Sequence, residues 1–204
     1  MTVSEPRPLG ARRRRTATRP SVTDGGVPLS RRDYMALPED GTDSEIIFGA
    51  LDVIPKALYG HQRVVFDLAS AIQAHVAADG GEVIADIDLM LNHMHTYVSP
   101  DLMYFTRPQM ARINPNRRVT RPPTLVVEVL TVSSTTRDRV LKRQAYARVG
   151  IPHYWIVDPA ARRIDELVLT SEGAYDETPP SSASTHFRPA LFPGLAIDLT
   201  RLFR

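Results

Sequence analysis

The chain has 204 residues and no cysteine, which excludes a thiol nucleophile, a disulfide framework and a cysteine-ligated zinc site. A chain of this length can bury a sizeable core without a disulfide or a metal, and no apolar run approaches the roughly 18 residues of a membrane span. The 25 basic and 23 acidic residues give a net charge of only +2. We therefore expect a cytoplasmic protein without a membrane partner.

The start of the chain differs in composition from the rest. Residues 1–27 hold six arginines against two acids, and they are rich in Pro, Thr, Ser and Gly. Such a segment cannot bury enough apolar surface to order itself. We predict a flexible arginine-rich arm over residues 1–27, followed by a single folded domain over residues 28–204.

The folded part is predicted to begin with a short helix and a pair of strands. Ser30 and Asp33 have the spacing of a helix start with an acid at the third helical position. Gly49 then separates two strand-like runs, which cover residues 44–48 and 50–54.

A long helix is predicted over residues 61–78, where apolar residues recur at helical spacing before two glycines. Alternating patterns then predict one strand over residues 82–91 and another over residues 97–105. The connection over residues 106–123 is long and rich in Arg, Pro and Asn, and connections of that length are often functional.

The central strand is predicted over residues 124–130 and contains one acid, Glu128. Alternation places Glu128 on the same face of the strand as Val126 and Leu130. A charged carboxylate among such apolar neighbours is destabilising unless a cation or hydrogen-bond donors meet it. We therefore expect a positive group opposite Glu128.

A helix over residues 133–148 is predicted to follow, and its inward stripe is expected to be Leu141, Ala145 and Val149. Lys142 lies at the edge of that stripe, where its long stem could pass the core and place the ammonium beside the acid. Further strands are predicted over residues 153–158, 162–170 and 194–197.

Asp101, Glu128 and Lys142 are predicted to converge on a divalent metal and a phosphodiester. If Asp101 lies on a strand next to Glu128, the two carboxylates can share one hard cation such as Mg²⁺ or Mn²⁺. That cation would activate a water, and Lys142 would orient the water or stabilise the transition state. Residues 107–148 also hold ten basic side chains against two acids, which suits a polyanion such as DNA.

The sequence leaves an ordinary structural role open for each of these residues. Asp101 follows a proline and could be a turn residue, and Glu128 could pair with any arginine. Asp138 and Lys142 could form a surface ion pair four residues apart on a helix, a pair that stabilises only weakly.

Four stretches of the chain carry recognisable motifs, at residues 99–102, 122–130, 138–147 and 150–159. In this order they closely resemble the Uma2 family of restriction endonucleases, within the PD-(D/E)XK nuclease superfamily. The likeness runs from about residue 29 to residue 203 and leaves out the arginine-rich arm. It implies an α/β (α+β) fold with a restriction-endonuclease-like core, in which helices flank a mixed β-sheet.

The resemblance also implies roles for single residues. It implies Asp101 and Glu128 as metal-binding acids, and Lys142 as a catalytic lysine moved from the strand to the helix. Glu45 matches a further catalytic and metal-binding acid, while His61 matches a histidine whose role the likeness leaves open.

One position departs from the superfamily pattern. The superfamily strand normally carries a lysine two residues after its acid, where this chain has Leu130, so activity would depend on Lys142. Many cleaving enzymes of the superfamily pair up, and a homodimer is expected by analogy.

Two functions of different classes follow from these observations. The first is a metal-dependent endonuclease that hydrolyses DNA phosphodiester bonds through an Asp/Glu/Lys site. The alternative is a DNA-binding module, or a transposition or defence accessory module, with the same fold and little or no cleavage. A toxin-like or defence component that needs a partner protein is a third hypothesis.

Overall fold

The computed structural model describes residues 27–38, 42–178 and 185–204. The predicted arm over residues 1–27 lies almost wholly outside the described residues. The first described element is the helix α1 (Arg31–Met35), and Ser30 and Asp33 form a capping box at its start, as the sequence predicted.

The remaining elements are helices and short strands in alternation. The helices are α2 (Tyr59–Val76), α3 (Arg107–Met110), a π-helical segment (Arg137–Lys142) that continues directly into α4 (Arg143–Arg148), and α5 (Leu199–Leu202). The strands are β1 (Asp43–Ile47), β2 (Ala50–Ile54), β3 (Glu82–Ala85), β4 (Leu89–Leu91), β5 (Thr96–Val98), β6 (Leu102–Phe105), β7 (Leu125–Val129), β8 (His153–Asp158), β9 (Arg163–Leu169), β10 (Tyr175–Thr178), β11 (His186–Phe187) and β12 (Ile197–Asp198).

The main sheet has six strands in the order β10-β9-β8-β7-β6-β3. Strands β7 and β8 are parallel, and every other neighbouring pair in this sheet is antiparallel. A second sheet has four antiparallel strands in the order β2-β1-β5-β4. The predicted mixed sheet flanked by helices is thereby confirmed. No helix within the described ranges is long and apolar enough to cross a membrane.

Two predicted strands are each divided between the two sheets. The strand expected over residues 82–91 is β3 in the main sheet and β4 in the second sheet, and Asp86 between them has a φ of 50°. The strand expected over residues 97–105 is likewise β5 and β6, separated by Pro100 and Asp101. A left-handed backbone and a proline without an N–H each interrupt a ladder, so the chain can change sheets there.

Helix α2 covers one face of the main sheet, as its apolar spacing predicted. Its buried residues Val64, Leu68 and Ile72 pack in one core with Val127 and Val129 of β7. The C-terminal residues that end in α5 close the edge of the same core. Fully burying one such side chain contributes about 1.5–3 kcal/mol.

The opposite face of β7 carries Val126, Glu128 and Leu130, as alternation predicted. Val126 and Leu130 belong to a second core, which includes Tyr146 of α4 and Leu89 of β4. Strand β7 is therefore buried on both faces, and Glu128 points toward the helix and the second sheet.

The helix after β7 presents only part of the predicted stripe. Ala145 is buried and Val149 packs against the second core, but Leu141 does not face inward. Leu141 is 41% exposed, whereas every fourth residue from Ser134 to Tyr146 is buried, a set that also includes Asp138 and Lys142. The cause is the π-helical segment, in which i→i+5 hydrogen bonds place more residues in each turn than an α-helix does. A spacing of four then keeps side chains on one face, and that face is polar.

Candidate active site

Asp101 lies opposite Glu128 at the point where the chain enters the main sheet. The antiparallel register of β6 and β7 pairs Leu102 with Val127, so one further step along each strand sets Asp101 against Glu128. The structure therefore provides the adjacency of the two acids that the sequence analysis assumed.

Lys142 lies between two carboxylates that come from different sheets. Its Nζ is 2.9 Å from Glu45 Oε1 and 2.9 Å from Glu128 Oε1. Glu45 and Glu128 are each 3% exposed and Lys142 is 2% exposed. The positive group expected opposite Glu128 is thus Lys142, and the structure brings Glu45 into the same cluster.

Each of the three acids is held by one of its two oxygens. Asp101 Oδ2 accepts a hydrogen bond from the Val129 amide at 2.7 Å, and Glu45 Oε1 accepts one from the Ser99 amide at 3.0 Å. Glu128 Oε1 accepts a hydrogen bond of 2.7 Å from the hydroxyl of Tyr146. These donors fix the three carboxylates independently of Lys142.

The second oxygens of the same acids are not engaged in this way. Glu45 Oε2 is buried without a hydrogen bond, and the nearest cationic group is Arg137 Nε at 3.5 Å. Among the described residues, none donates a hydrogen bond to Asp101 Oδ1 or to Glu128 Oε2. Three carboxylate oxygens from three different strands or strand ends therefore remain available as acceptors.

The cluster is buried and holds more negative than positive charge, and both properties act on the pKa values of Glu128 and Lys142. Burial raises the pKa of Glu128 well above its usual range; Lys142 opposes this shift, and the charges of neighbouring acids add to it. Burial also opposes the charge of Lys142, but the surrounding carboxylates outweigh it and raise the pKa of Lys142. Lys142 therefore stays an ammonium.

Asp138 is a fourth acid of this cluster that the sequence analysis did not include in the site. It is 2% exposed, and its Oδ1 lies 3.6 Å from Lys142 Nζ without a hydrogen bond. The alternative of a surface pair between Asp138 and Lys142 is therefore wrong, because both side chains are buried. The spacing of four from Ser134 through Tyr146 was the signal in the sequence that could have revealed this polar stripe.

His61, at the start of α2, contacts the same region from the opposite side of β7. Its Nε2 is 3.1 Å from the carbonyl oxygen of Val129 and 3.3 Å from Asp101 Oδ2. Burial disfavours the charged imidazole, but the hydrogen bond to Asp101 and its charge outweigh burial and raise the pKa of His61. His61 is thus a neighbour of Asp101, and it contacts neither Glu45 nor Lys142 through a hydrogen bond.

The cluster forms part of the wall of an open cleft of about 1190 Å³. Glu45, Asp101, Glu128 and Lys142 all line it, and the exposed side chain of Leu58 lies at its rim. The predicted site residues are therefore together and reachable by a ligand.

Several of the ten basic side chains counted over residues 107–148 are paired with acids or buried, so they are not available to bind a polyanion. Arg139 pairs with Asp165 at 2.9 Å, and Arg137 donates to Asp52 at 2.8 Å. Lys142 is buried, and Arg118 pairs with Asp88. The local positive excess is consequently smaller than the sequence suggested.

Among the residues that the structure describes, no three His, Asp or Glu side chains are already arranged around a common point that could hold a metal. The chemistry of the donor set nevertheless fits a hard divalent cation, which prefers carboxylate oxygens and tolerates incomplete protein coordination. The buried Oε2 of Glu45, which accepts no hydrogen bond, and the negative excess of the cluster support that fit. Lys142 supplies part of the compensating charge in this structure.

Comparison with known proteins found a family and several solved structures that this chain resembles. The sequence profile of the Uma2 family, described as "Putative restriction endonuclease", matches residues 31–200. A crystal structure described as a putative nuclease belonging to DUF820, from Anabaena variabilis, superimposes with a TM-score of 0.71 at 16% sequence identity, over 86% of this chain and 98% of that chain. No curated protein matches the chain. At this identity the structural likeness shows the fold alone.

Proposed function

This chain belongs to the Uma2 family of putative restriction endonucleases, and from that premise we propose that it is a nuclease that hydrolyses DNA phosphodiester bonds with a divalent cation. The observation that supports the proposal best is the anchoring of Glu45, Asp101 and Glu128 by one oxygen each, with Lys142 between Glu45 and Glu128. A structural ion pair would not require three acids to leave their second oxygens without donors.

Asp101, Glu128 and Glu45 are the residues that would hold Mg²⁺ or Mn²⁺, through oxygens that no described residue occupies. The cation, when bound, supplies charge neutralisation at the scissile phosphate and lowers the pKa of a bound water. The chain holds these acids in place before any cation binds. Backbone amides hold Glu45 and Asp101, and the Tyr146 hydroxyl holds Glu128. Such preorganisation avoids reorganisation at the moment of reaction.

Lys142 is the residue that would meet the charge developing on the phosphate. An ammonium has three N–H donors, and two of them are directed to Glu45 and Glu128. The next acceptor, Asp138 Oδ1, is 3.6 Å away, beyond a normal hydrogen bond. One donor is therefore free to contact a phosphate oxygen or the attacking water from the wall of the cleft.

The same geometry gives a reason to keep a second candidate function. Lys142 forms ion pairs with two of the three acids, and the described side chains are not arranged as a metal site. A DNA-binding or accessory module that retains the fold without efficient cleavage would show this arrangement too. The two functions differ in whether the acids are needed for anything beyond folding.

The deciding experiment is cleavage of supercoiled plasmid with Mg²⁺ or Mn²⁺, with EDTA as the metal-free control. Asp101→Asn and Glu128→Gln keep an oxygen that can accept the existing hydrogen bond but lose the negative charge. If the proposal is correct, wild type cuts only with the metal, and each variant cuts about 100-fold more slowly or worse.

Thermal unfolding of each variant separates lost chemistry from a lost fold. The nuclease proposal is rejected if folded wild type binds plasmid, linear and single-stranded DNA but cuts none of them with either metal. Salt-sensitive DNA binding that Asp101→Asn leaves unchanged, without cutting, would then favour the accessory module.

A further inference from the structure

An arginine-rich groove lies beside the cleft. This second concave surface, of about 510 Å³, shares the lining residues Met35 and Arg118 with the cleft, so the two adjoin. We call it the arginine groove, and its arginines are Arg31, Arg112, Arg117, Arg118 and Arg121. No acidic residue lines it, whereas the neighbouring cleft contains the acid cluster.

Most of these arginines are not used for internal pairing. Arg118 pairs with Asp88, and its guanidinium also lies over the ring of Tyr34, so it forms the fixed wall between the two concavities. The other four are exposed, and no carboxylate among the described residues lies within 4.0 Å of their guanidinium groups. The contrast with partly buried and paired Arg137 indicates that the groove presents its charge to a ligand.

The segment that carries the groove is held in place. The Met90 amide donates a 2.8 Å hydrogen bond to the carbonyl oxygen of Val119, which attaches the segment to β4. Gln109 donates to the carbonyl oxygen of Pro122 at 3.2 Å and accepts from the hydroxyl of Thr124 at 2.7 Å. The long connection expected over residues 106–123 therefore displays its arginines from a fixed backbone.

We propose that the arginine groove binds the phosphate backbone of DNA to one side of the phosphodiester that enters the cleft. Arginine suits this role because its planar guanidinium matches two phosphate oxygens at once. Because the two concavities adjoin at Met35 and Arg118, one strand can contact both, with acids at the reacting phosphate and arginines at the flanking phosphates. This inference rests on the proposed nuclease function, since it takes the ligand of the groove to be the same DNA.

The test is binding of a short duplex DNA in EDTA, followed by fluorescence anisotropy at increasing NaCl concentration. The groove variant is Arg117→Gln/Arg121→Gln. The matched control is Arg188→Gln/Arg201→Gln, which removes the same charge from exposed positions near α5, on the other face of the main sheet.

The groove variant is expected to make the slope of log K against log[NaCl] less negative by about two, because each lost phosphate contact reduces its magnitude by about one. The control is expected to keep the wild-type slope. Equal slopes for both variants overturn the inference, as does wild type that binds no duplex or binds poly-glutamate as tightly as DNA.

Plasmid cleavage with Mg²⁺ distinguishes this inference from the proposed function. Wild type that cuts DNA, together with a groove variant of unchanged salt slope, retains the nuclease and overturns the groove. If the groove variant lowers the salt dependence but wild type never cuts DNA, the groove inference is retained and the nuclease proposal is overturned.

Discussion

The charged atoms of Asp138 and Lys142 lie 3.6 Å apart on one π-helical turn, with both side chains buried. Lys142 is the closer partner of two acids on other strands, so Asp138 adds negative charge while its Oδ1 accepts no hydrogen bond. The two members of this pair should therefore differ greatly in their contribution to stability.

Lys142→Met is expected to lower the free energy of unfolding by about 3–5 kcal/mol near neutral pH, because it leaves buried carboxylates without compensation. Asp138→Asn is expected to lower it by less than about 1 kcal/mol, since Lys142 retains Glu45 and Glu128. Urea unfolding of both variants measures the difference. Similar losses in the two variants would contradict this account of the cluster.

The stability of the Lys142→Met variant should depend on pH in a defined direction. Burial raises the folded-state pKa of Glu128 above its unfolded value, and removing Lys142 removes an effect that lowers it. Between those two pKa values the folded state binds a proton that the unfolded state has lost, so stability rises as pH falls. Urea unfolding from pH 8 to pH 5 should show the variant recovering part of its lost stability relative to wild type. A constant difference between the two proteins across that range would refute the assignment.

Tyr146→Phe removes the hydroxyl that donates to Glu128 at 2.7 Å. We expect a loss of about 1.5–3 kcal/mol in stability and a loss of about 10–100-fold in plasmid cleavage, because the carboxylate loses its positioning donor. Tyr154→Phe is the matched control, since its hydroxyl donates at 3.0 Å to the backbone carbonyl of Asp138. The control should lose about 1 kcal/mol and retain its cleavage rate. Equal cleavage by the two variants would mean that Tyr146 is only structural.

Because of the π-helical segment, we expect substitutions at Leu141 and Ala145 to differ in their effect on stability, which a regular α-helix would not predict. Leu141 is 41% exposed while Ala145 is fully buried, although ideal α-helical spacing would direct both inward. Leu141→Gln should change the free energy of unfolding by less than about 0.5 kcal/mol, whereas Ala145→Gln should lower it by at least about 1–3 kcal/mol. A large loss in the Leu141 variant would argue for a regular helix.

Local patterns in the sequence predicted those elements whose partners do not change along their length. The two faces of β7, the stripe of α2 and the capping box at Ser30 depend on nearest neighbours and on one packing surface. The breaks at Asp86 and Pro100 were missed because apolar alternation continues while the chain passes from one sheet to the other.

The candidate site was predictable to a similar degree. A lone acid in the β7 run identified Glu128, and its partner lysine followed from helical reach. Glu45 came only from family resemblance, because its approach to Lys142 depends on how the two sheets pack. Asp138 was hidden by the assumption of α-helical periodicity, and the pairing of Arg137 and Arg139 is a tertiary property that composition does not contain.

The crossing between the two sheets links the acids mechanically. Ser99 holds Glu45 of β1 through its amide, and Asp101, two residues later, is bonded to the backbone of β7. Pro100 between them is buried, so the segment from Ser99 to Asp101 has little freedom to extend. A partly folded chain, with only one sheet in place, would hold an incomplete set of acids. Completion of the fold is thereby a condition for assembling the candidate site, and under the proposed function unfinished chains would leave the DNA around them uncut.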